Sequence, residues 1–486
     1  MKKLLNSFLV LAIISLIVSC NGYLEKTPRA ALTPDKALAD SNGIQSTLFS
    51  AYRRLHQFDY YGREMMLLGD VLADNAIIAI NTGRYTAAIN NQIFVHFAFW
   101  SGAPYAAINE ANFVLEEVVK PEIRMSDNLR KRLRAEALFI RALCHHDLLR
   151  VYSYEPANAA GFNLGVVLRK KPTRGASDAD GAVRATVAES YDFVIADLLE
   201  AIDLFSSIPN VGFPTRANKA AAEALLARVY LYAGRFAEAA DMAETALNTV
   251  DNQAAPKATL TTPANHVSSF AMANHPESVF EIDISAADWS TVDGVNNSLS
   301  SWTRGPASNV ALPGPGPVFA IAGAPNLIAA FPMGDVRGNP STGLWRTYSS
   351  GSLRECVKWR GDKGNFVENV PVIRYAELVL IQAEGRARSG GEAAALTALN
   401  RLRTNRGLAA VSLSGAQLID EIMLQRRLEF AFEGHRWFDL KRLGMTIPKE
   451  PTLGVPALSP SDTRLLSFIP TTEISINPKL VQNPGY

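Results

Sequence analysis

The most informative part of the sequence is one stretch near its carboxyl end, Gln425-Arg-Arg-Leu-Glu-Phe-Ala-Phe-Glu-Gly-His-Arg-Trp-Phe-Asp-Leu-Lys-Arg-Leu-Gly444. The preceding Ser414-Gly-Ala-Gln417 has the spacing of a capping box, and apolar residues then recur at helical intervals. We therefore predict one helix that begins near Ser414 and ends at Gly444. Opposite charges three residues apart, such as Arg426 and Glu429, are expected to meet along one face of it.

The same stretch invites a catalytic hypothesis, because carboxylates beside His435 are able to do acid–base work. Arginines interleaved at intervals of three and four are more typical of a structural ion-pair network. No His-Glu-x-x-His, Gly-x-Ser-x-Gly or phosphate-loop motif occurs in the sequence. We therefore predict no catalytic residues and interpret the charges as part of the scaffold.

Helical periodicity extends outward over most of the chain. It is clearest in Lys219–Ala233 and Phe236–Val250, where small alanines recur on facing stripes around a Gly234 turn. Further pairs are predicted at Tyr105–Val119 with Asn128–Tyr152, at Ile373–Ser389 with Glu392–Thr404, and within Ile44–Ile80. Such helix pairs resemble tetratricopeptide units, and the alternative is an irregular helical bundle.

The segment between residues 251 and 371 is different in character. Residues 278–284 predict a short strand, and Gly, Pro, Ser and Asn dominate the sequence that follows. Long loops in compact proteins are usually functional or disordered, and this one carries Trp289 and Trp302. The predicted fold class is therefore mainly α, with a helical-repeat scaffold and a loop-rich half of minor β content.

The amino terminus predicts export. Lys2 and Lys3 precede an apolar run from Leu4 to Val18, which is too short to span a bilayer stably, and Cys20 follows small Ser19. Leu16, Ser19 and Cys20 resemble a bacterial lipobox, in which the leader is removed and the cysteine is acylated. Acyl chains stabilise membrane attachment by about 0.8 kcal/mol per buried CH₂. The alternative is an ordinary secreted protein whose leader ends in cysteine.

Charge and cysteine content exclude several other classes. The 486 residues carry 48 Lys and Arg against 47 Asp and Glu, so no general attraction to nucleic acid is expected. Beyond Cys20, only Cys144 and Cys356 remain, and the helical pattern around Cys144 favours a buried free thiol. His145 and His146 are adjacent, so on a helix they cannot chelate one metal together. We predict no metal site and no cofactor.

The stretch 425–444 also resembles the signature segment of the SusD/RagB family, the nutrient-binding outer-membrane lipoproteins of Bacteroidetes. Other stretches resemble the family in the same order along the chain: 372–384, 398–403, and the ending from Ile469 to Tyr486. Upstream, Gly69-Asp70 with Asp74-Asn75, and Trp100 with Tyr105, Ile108 and Asn112, follow the family pattern more loosely. The resemblance covers essentially the whole mature chain.

The resemblance implies a single body in four parts: a signal peptide at 1–19, a lipidated stalk at 20–43, a helical region at 44–250, and a carboxyl-terminal region at 251–486. Four tetratricopeptide-like helix pairs would form the scaffold. Members of the family sit on the cell exterior as lids over a SusC-like TonB-dependent transporter in the outer membrane. They capture oligosaccharides or, in some branches, peptides.

Candidate ligand residues follow from the needs of sugar recognition, which uses aromatic platforms and polar groups for the hydroxyls. Trp100 lies just before a predicted helix, where it either stacks on a sugar or packs structurally. Trp289, Trp302 and Tyr85 are loop candidates, and Asp70 is either a ligand contact or a helix cap. Trp359 and Trp437 are interpreted as structural.

Three functional classes are therefore compared. The first is a substrate-capturing lid that binds without turnover. The second is a surface glycan-degrading enzyme, which needs two carboxylates about 5–10 Å apart. The third is a lipoprotein scaffold that binds only protein and buries its loop tryptophans.

Overall fold

The computed structural model describes residues 34–92, 97–175, 181–285, 297–304, 318–347, 351–359, 361 and 367–486. Its α-helices, in chain order, are α1 (Pro34–Ala37), α2 (Ser41–Leu55), α3 (Glu64–Leu72), α4 (Thr86–Ile89), α5 (Ala103–Glu117), α6 (Asp127–Tyr152), α7 (Val187–Ser206), α8 (Lys219–Tyr232), α9 (Phe236–Asn252), α10 (His266–Ser269), α11 (Leu299–Thr303), α12 (Pro325–Ala329), α13 (Tyr375–Arg388), α14 (Glu392–Thr404), α15 (Gly415–Glu429), α16 (Arg436–Arg442) and α17 (Thr471–Ile476). Its strands are β1 (Ala76–Ile78), β2 (Ser278–Ile282), β3 (Ile321–Gly323), β4 (Trp345–Thr347), β5 (Arg354–Cys356) and β6 (Val370–Arg374). Cys20, the predicted signal peptide and most of the predicted stalk lie outside the described residues.

A continuous stack of helices forms the scaffold. Helices α5 to α9 each pack on the next one in the chain, α13 packs on α9, and α14 packs on α13. The close approach of α9 and α13 depends on Gly385, since a Cβ there would lie 2.5 Å from the Phe236 carbonyl oxygen. The mainly helical fold class and the three helix pairs predicted beyond residue 100 are confirmed.

The prediction that two helices within Ile44–Ile80 pack on each other as a pair is wrong. Helix α2 packs chiefly on α5, whereas α3 packs on α16, α4 and β1. The periodicity of α2 identified its apolar face, with Ile44, Leu48 and Leu55 buried. The identity of the partner depended on where the chain returned.

Short ladders join the loop-rich half to the scaffold. Strand β2 pairs antiparallel with β6, with Phe280 opposite Ile373, and confirms the strand predicted near residue 278. Strand β1 pairs with β3, and β4 with β5. Residues 76–78 and 321–323 are thereby brought together from opposite halves of the sequence.

The single helix predicted from Ser414 to Gly444 is also wrong, because the chain turns between α15 and α16. Phe432 and Gly434 have φ values of 64° and 76°, which a continuous helix does not allow. A Cβ at Gly434 would lie 1.9 Å from the Met65 carbonyl oxygen, so this turn is where the segment meets α3. Ser414 makes no capping hydrogen bond through its side chain.

The charges of this segment form tertiary ion pairs, and the predicted pairing of Arg426 with Glu429 along one helix face is wrong. Arg426 pairs with Asp439 at 3.0 Å. Glu429 instead accepts from arginines on three other segments, Arg337, Arg374 and Arg406, at 2.8–3.0 Å. These groups are buried, so the segment acts as the electrostatic centre of the fold.

Several smaller expectations can be compared with the structure. Cys144 and Cys356 are both buried free thiols, which confirms the prediction for Cys144. Trp359 and Trp437 are buried, and the Trp359 indole donates to the Phe432 carbonyl oxygen at 3.0 Å. Within the described ranges, no helix has both the length and the apolar character of a membrane span.

Candidate functional site

Trp100 forms the floor of an open cavity of about 270 Å³. We call it the Trp100 cavity, and its described lining residues are Trp100, Tyr105, Asn109, Val167, Arg169, Thr173, Glu473, Ile476, Asn477 and Leu480. The indole is 5% exposed and packs edge-on against the rings of Tyr105 and Tyr152. Its backbone N–H donates to the Tyr152 hydroxyl at 2.9 Å, so its position is set from both sides.

One wall of the cavity is residues 167–173, which we call the basic segment. Helix α5 holds its backbone: the Tyr105 hydroxyl donates to the Val167 carbonyl at 3.0 Å, and Asn112 donates to the carbonyls of Arg169 and Lys171 at 3.0 and 3.2 Å. Asn109 accepts from the N–H of Thr173 at 2.6 Å and donates to its carbonyl at 3.3 Å. Because residues 105, 109 and 112 share one helix face, this wall is rigidly attached to α5.

The opposite wall is the end of the chain, from α17 to Leu480. Asn477 donates to the Ala182 carbonyl at 2.6 Å. The buried guanidinium of Arg184 donates to the carbonyls of Gly165, Tyr152 and Val481 at 2.7, 2.9 and 3.0 Å, which ties the tail to the helical scaffold. Burial lowers the pKa of Arg184 to about 10.

Two charged groups face the Trp100 cavity with unused hydrogen-bonding capacity. Among the described residues, neither the Arg169 guanidinium nor the Glu473 carboxylate has an ion-pair or side-chain hydrogen-bond partner. The Tyr105 hydroxyl is neutral, because burial raises its pKa. The cavity thus combines an aromatic floor, a cation, an anion and the amides of Asn109 and Asn477.

Two other predicted residues, Tyr85 and Trp302, meet elsewhere. Their rings lie 4.9 Å apart edge-on, and the guanidiniums of Arg63 and Arg84 lie 4.1 and 5.2 Å from the Trp302 ring centroid. We call these four residues the aromatic–arginine cluster. The Tyr85 hydroxyl donates to Glu64 at 2.7 Å. Trp302 is 0% exposed, so in this conformation its ring faces are closed to a ligand.

Asp70 lies inside α3 and is fully buried. It accepts from the Asn75 amide at 2.7 Å and from the Gly434 N–H at 3.4 Å. Burial raises the pKa of its carboxyl to about 6, although the Asn75 hydrogen bond opposes this. Asp70 therefore joins α3 to the turn before α16, and neither a ligand contact nor a helix cap describes its place in the structure.

The predicted ligand residues thus separate into three groups. Tyr85 and Trp302 come together, Trp100 lies in a cavity with different neighbours, and Trp289 lies outside the described residues. Sequence reasoning missed Arg169 and Glu473. The run Arg169-Lys-Lys-Pro-Thr-Arg174 was a visible charge signal for the first of them, but nothing local marked Glu473 as its neighbour.

Family models match both halves of the chain. The model described as "Starch-binding associating with outer membrane", of SusD-like type, matches residues 22–231. The SusD_RagB model, described as "SusD family", matches residues 345–486. Together they span most of the sequence in the order that the resemblance implied.

Individual relatives match nearly all of the chain or its full length. The SusD-like protein P2 of Formosa agariphila is 27% identical over 537 residues, covering 100% of both chains. A SusD superfamily protein from Bacteroides vulgatus ATCC 8482 is 26% identical, with a TM-score of 0.79 over 92% of this chain and 99% of that one. A laminarin binding SusD-like protein is 22% identical, with a TM-score of 0.71 over 92% of this chain and 100% of that one, and it shares the fold.

Proposed function

Because this chain belongs to the SusD/RagB family, we propose that it is a lipid-anchored surface protein that captures an oligosaccharide for a SusC-like TonB-dependent transporter. The matching model, described as starch-binding and associating with the outer membrane, supports both the ligand class and the location. The laminarin-binding neighbour supports the capacity of the fold to hold a polysaccharide and does not identify the cargo of this chain.

The single observation that carries the proposal is the composition of the Trp100 cavity. The Trp100 indole offers apolar surface to the C–H groups of a sugar, while Arg169, Glu473 and Asn477 supply donors and acceptors for its hydroxyls. The volume of about 270 Å³ is near the lower end of ligand pockets, which run to about 1,000 Å³. The cavity therefore suits a chain end or one or two sugar residues of a longer glycan.

The walls are preorganised for such a ligand. Helix α5 fixes the basic segment, and Arg184 fixes the tail through hydrogen bonds to backbone carbonyls. Little backbone ordering is then needed on binding, and this lowers the entropic cost of association.

We propose binding without turnover. Among the described residues that line the cavity, Glu473 is the one carboxylate, whereas glycoside hydrolysis by the common mechanisms uses a pair. Oligosaccharide recovered intact after prolonged incubation with the protein is the expected result, and a shortened product would instead favour the enzyme hypothesis.

Anchoring at Cys20 would complete the function. A lipid tether keeps the captured cargo near the transporter, so transfer depends on effective concentration more than on free affinity. We expect Cys20→Ser to release the protein from membranes without changing its affinity for the glycan, as fractionation and binding assays would show. Co-purification with an outer-membrane transporter tests the proposed partner.

A peptide is the second cargo to consider, because a guanidinium and a carboxylate in one cavity also complement the two charged ends of a short peptide. An array of glycans and peptides, probed with the chain that begins after Cys20, separates the two. Preferential binding to peptides would replace the oligosaccharide as the proposed cargo.

The position of the site is tested by two substitutions. Trp100→Ala should abolish glycan binding, whereas Arg84→Ala should leave it unchanged, because Arg84 is exposed and belongs to the aromatic–arginine cluster. The opposite pattern would move the site to that cluster. Circular dichroism and thermal unfolding of both variants control for misfolding.

A further inference from the structure

The basic segment presents its residues to two sides. Alternate carbonyls, those of residues 167, 169, 171 and 173, all accept hydrogen bonds from side chains of α5. Val167, Arg169 and Thr173 line the Trp100 cavity, and the exposed Lys171 lies between them in the chain. The Lys170 ammonium lies on the other side, 5.4 Å from the ring centroid of Phe193.

The cations in and beside the basic segment differ in how they are balanced. Arg174, which follows the segment, is paired with Glu116 and lies 3.6 Å from Glu117. In the part of the chain that the structure describes, no carboxylate lies within ion-pair distance of Arg169 or Lys171. The whole chain is almost neutral, with 48 basic and 47 acidic residues, so this concentration of positive charge is a local feature of the basic segment.

From this placement we infer that the ligand of the Trp100 cavity is an anionic oligosaccharide, bearing a carboxylate or a sulfate ester on the residue that enters the cavity. The inference rests on the proposed function and specifies the chemical class of its ligand. A planar guanidinium binds such oxyanions through two parallel N–H···O bonds, and the exposed Lys171 adds a second positive charge two residues along the chain.

Glu473 is compatible with this ligand. It belongs to the tail wall, whereas Arg169 belongs to the basic segment, and the two do not form an ion pair. A carboxylate that faces hydroxyls accepts their hydrogen bonds, so Glu473 would orient the sugar ring while Arg169 holds its acidic group. Fixed backbone positions on both sides make this orientation selective.

The test is a panel of acidic oligosaccharides, each paired with a matched neutral form. Oligogalacturonides are compared with their carboxyl-reduced counterparts, and sulfated galactan oligosaccharides with their desulfated counterparts. Binding to the full chain is measured by calorimetry at low and high salt. We expect the acidic member of at least one pair to bind about tenfold or more tightly than its neutral form, with an affinity that falls as salt rises.

Variants in the basic segment locate the effect. Arg169→Gln should remove the preference for the acidic member, and Arg169→Lys should retain part of it, because charge remains but bidentate geometry is lost. Lys170→Ala is the matched control in the same segment and should change the preference less than twofold. Which pair shows the preference distinguishes carboxylate from sulfate.

The possible results are distinguishable. If neutral members bind as well as acidic ones, the anionic class is wrong while the proposed capture of glycans stands. If Arg169→Gln retains the full preference, the inference that the Trp100 cavity selects the acidic group is overturned. If neither member of any pair binds, the inference is overturned, and the array of glycans and peptides decides the proposed function separately. Loss of all binding in Trp100→Ala, with Arg169→Gln unaffected, retains the cavity as the binding site and rejects Arg169 as the group that recognises the acidic residue.

Discussion

Replacing Glu429 by glutamine should destabilise the protein strongly, because this carboxylate is surrounded by arginines. Each of its two oxygens accepts a hydrogen bond from Arg406 at 2.9 Å. The carboxylate also accepts from Arg374 at 2.8 Å and from Arg337 at 3.0 Å. Burial opposes ionisation, but the Arg406 and Arg374 guanidiniums outweigh it and hold the pKa of Glu429 well below its usual range. Glu429 is therefore ionised in the folded protein.

The magnitude follows from the balance of charge in this buried network. Its cations are Arg337, Arg374, Arg406 and Lys358, and its anions are Asp335, Glu277, Glu429 and Glu433. Glu429→Gln preserves the shape and leaves one cation in excess where water does not reach. Removing one partner of a buried ion pair costs about 3–5 kcal/mol, a large part of a typical total of about 5–15 kcal/mol.

The assay is equilibrium urea unfolding followed by circular dichroism, with Glu200→Gln as the control. Glu200 pairs with Arg134 at 2.6 Å on the surface, so its loss should cost at most about 1 kcal/mol.

The effect of Glu429→Gln should also depend on pH. Because the pKa of Glu429 is depressed in the folded state, its ionised carboxylate stabilises the protein fully above the unfolded-state pKa of about 4.3, and this stabilisation is lost as the pH falls. The difference between wild type and Glu429→Gln should therefore shrink below about pH 4.

Two results would refute this reasoning. One is a loss in Glu429→Gln no larger than that in Glu200→Gln, which would mean that the network contributes no more than a surface pair. The other is a difference that stays constant down to pH 3, which would mean that the ionised carboxylate is not its source.

Three further predictions concern single residues. Because the pKa of Asp70 is raised to about 6 in the folded protein, ionisation of its carboxyl opposes folding fully above that pH and not at all below the unfolded pKa. The free energy of unfolding of Asp70→Asn, measured in urea, should therefore rise by roughly 1–3 kcal/mol relative to that of wild type when the pH is changed from 4 to 8. An equal difference between the two proteins at both pH values would contradict this. Gly434→Ala should lower Tm far more than Gly390→Ala, since both glycines have positive φ but only the first would place a Cβ 1.9 Å from the Met65 carbonyl oxygen; equal shifts would show that the contact relaxes freely. Arg184→Gln should loosen the tail and speed its removal by carboxypeptidase, and an unchanged cleavage rate would mean that other contacts hold it.

Local patterns predicted much of this protein. The helices follow from apolar residues at intervals of three and four, as in α8 and α9, whereas the leader and Cys20 stay predictions from a hydrophobic run of limited length. The order of the stretches along the chain led to the SusD/RagB family, and the family comparisons confirm it. Each of these signals lies within a short window of sequence.

Partners across the chain were decided only in three dimensions. The helix predicted from Ser414 to Gly444 divides because Gly434 contacts the backbone of Met65, and Glu429 pairs with arginines at 337, 374 and 406 in place of Arg426. The Trp100 cavity likewise joins Arg169 to Glu473. Helical periodicity records which side of a segment is apolar, but it carries no information about which distant segment will cover that side. Buried charges must find counter-charges wherever the packed helices bring them, and so the ion-pair partners and the cavity arise from the packing.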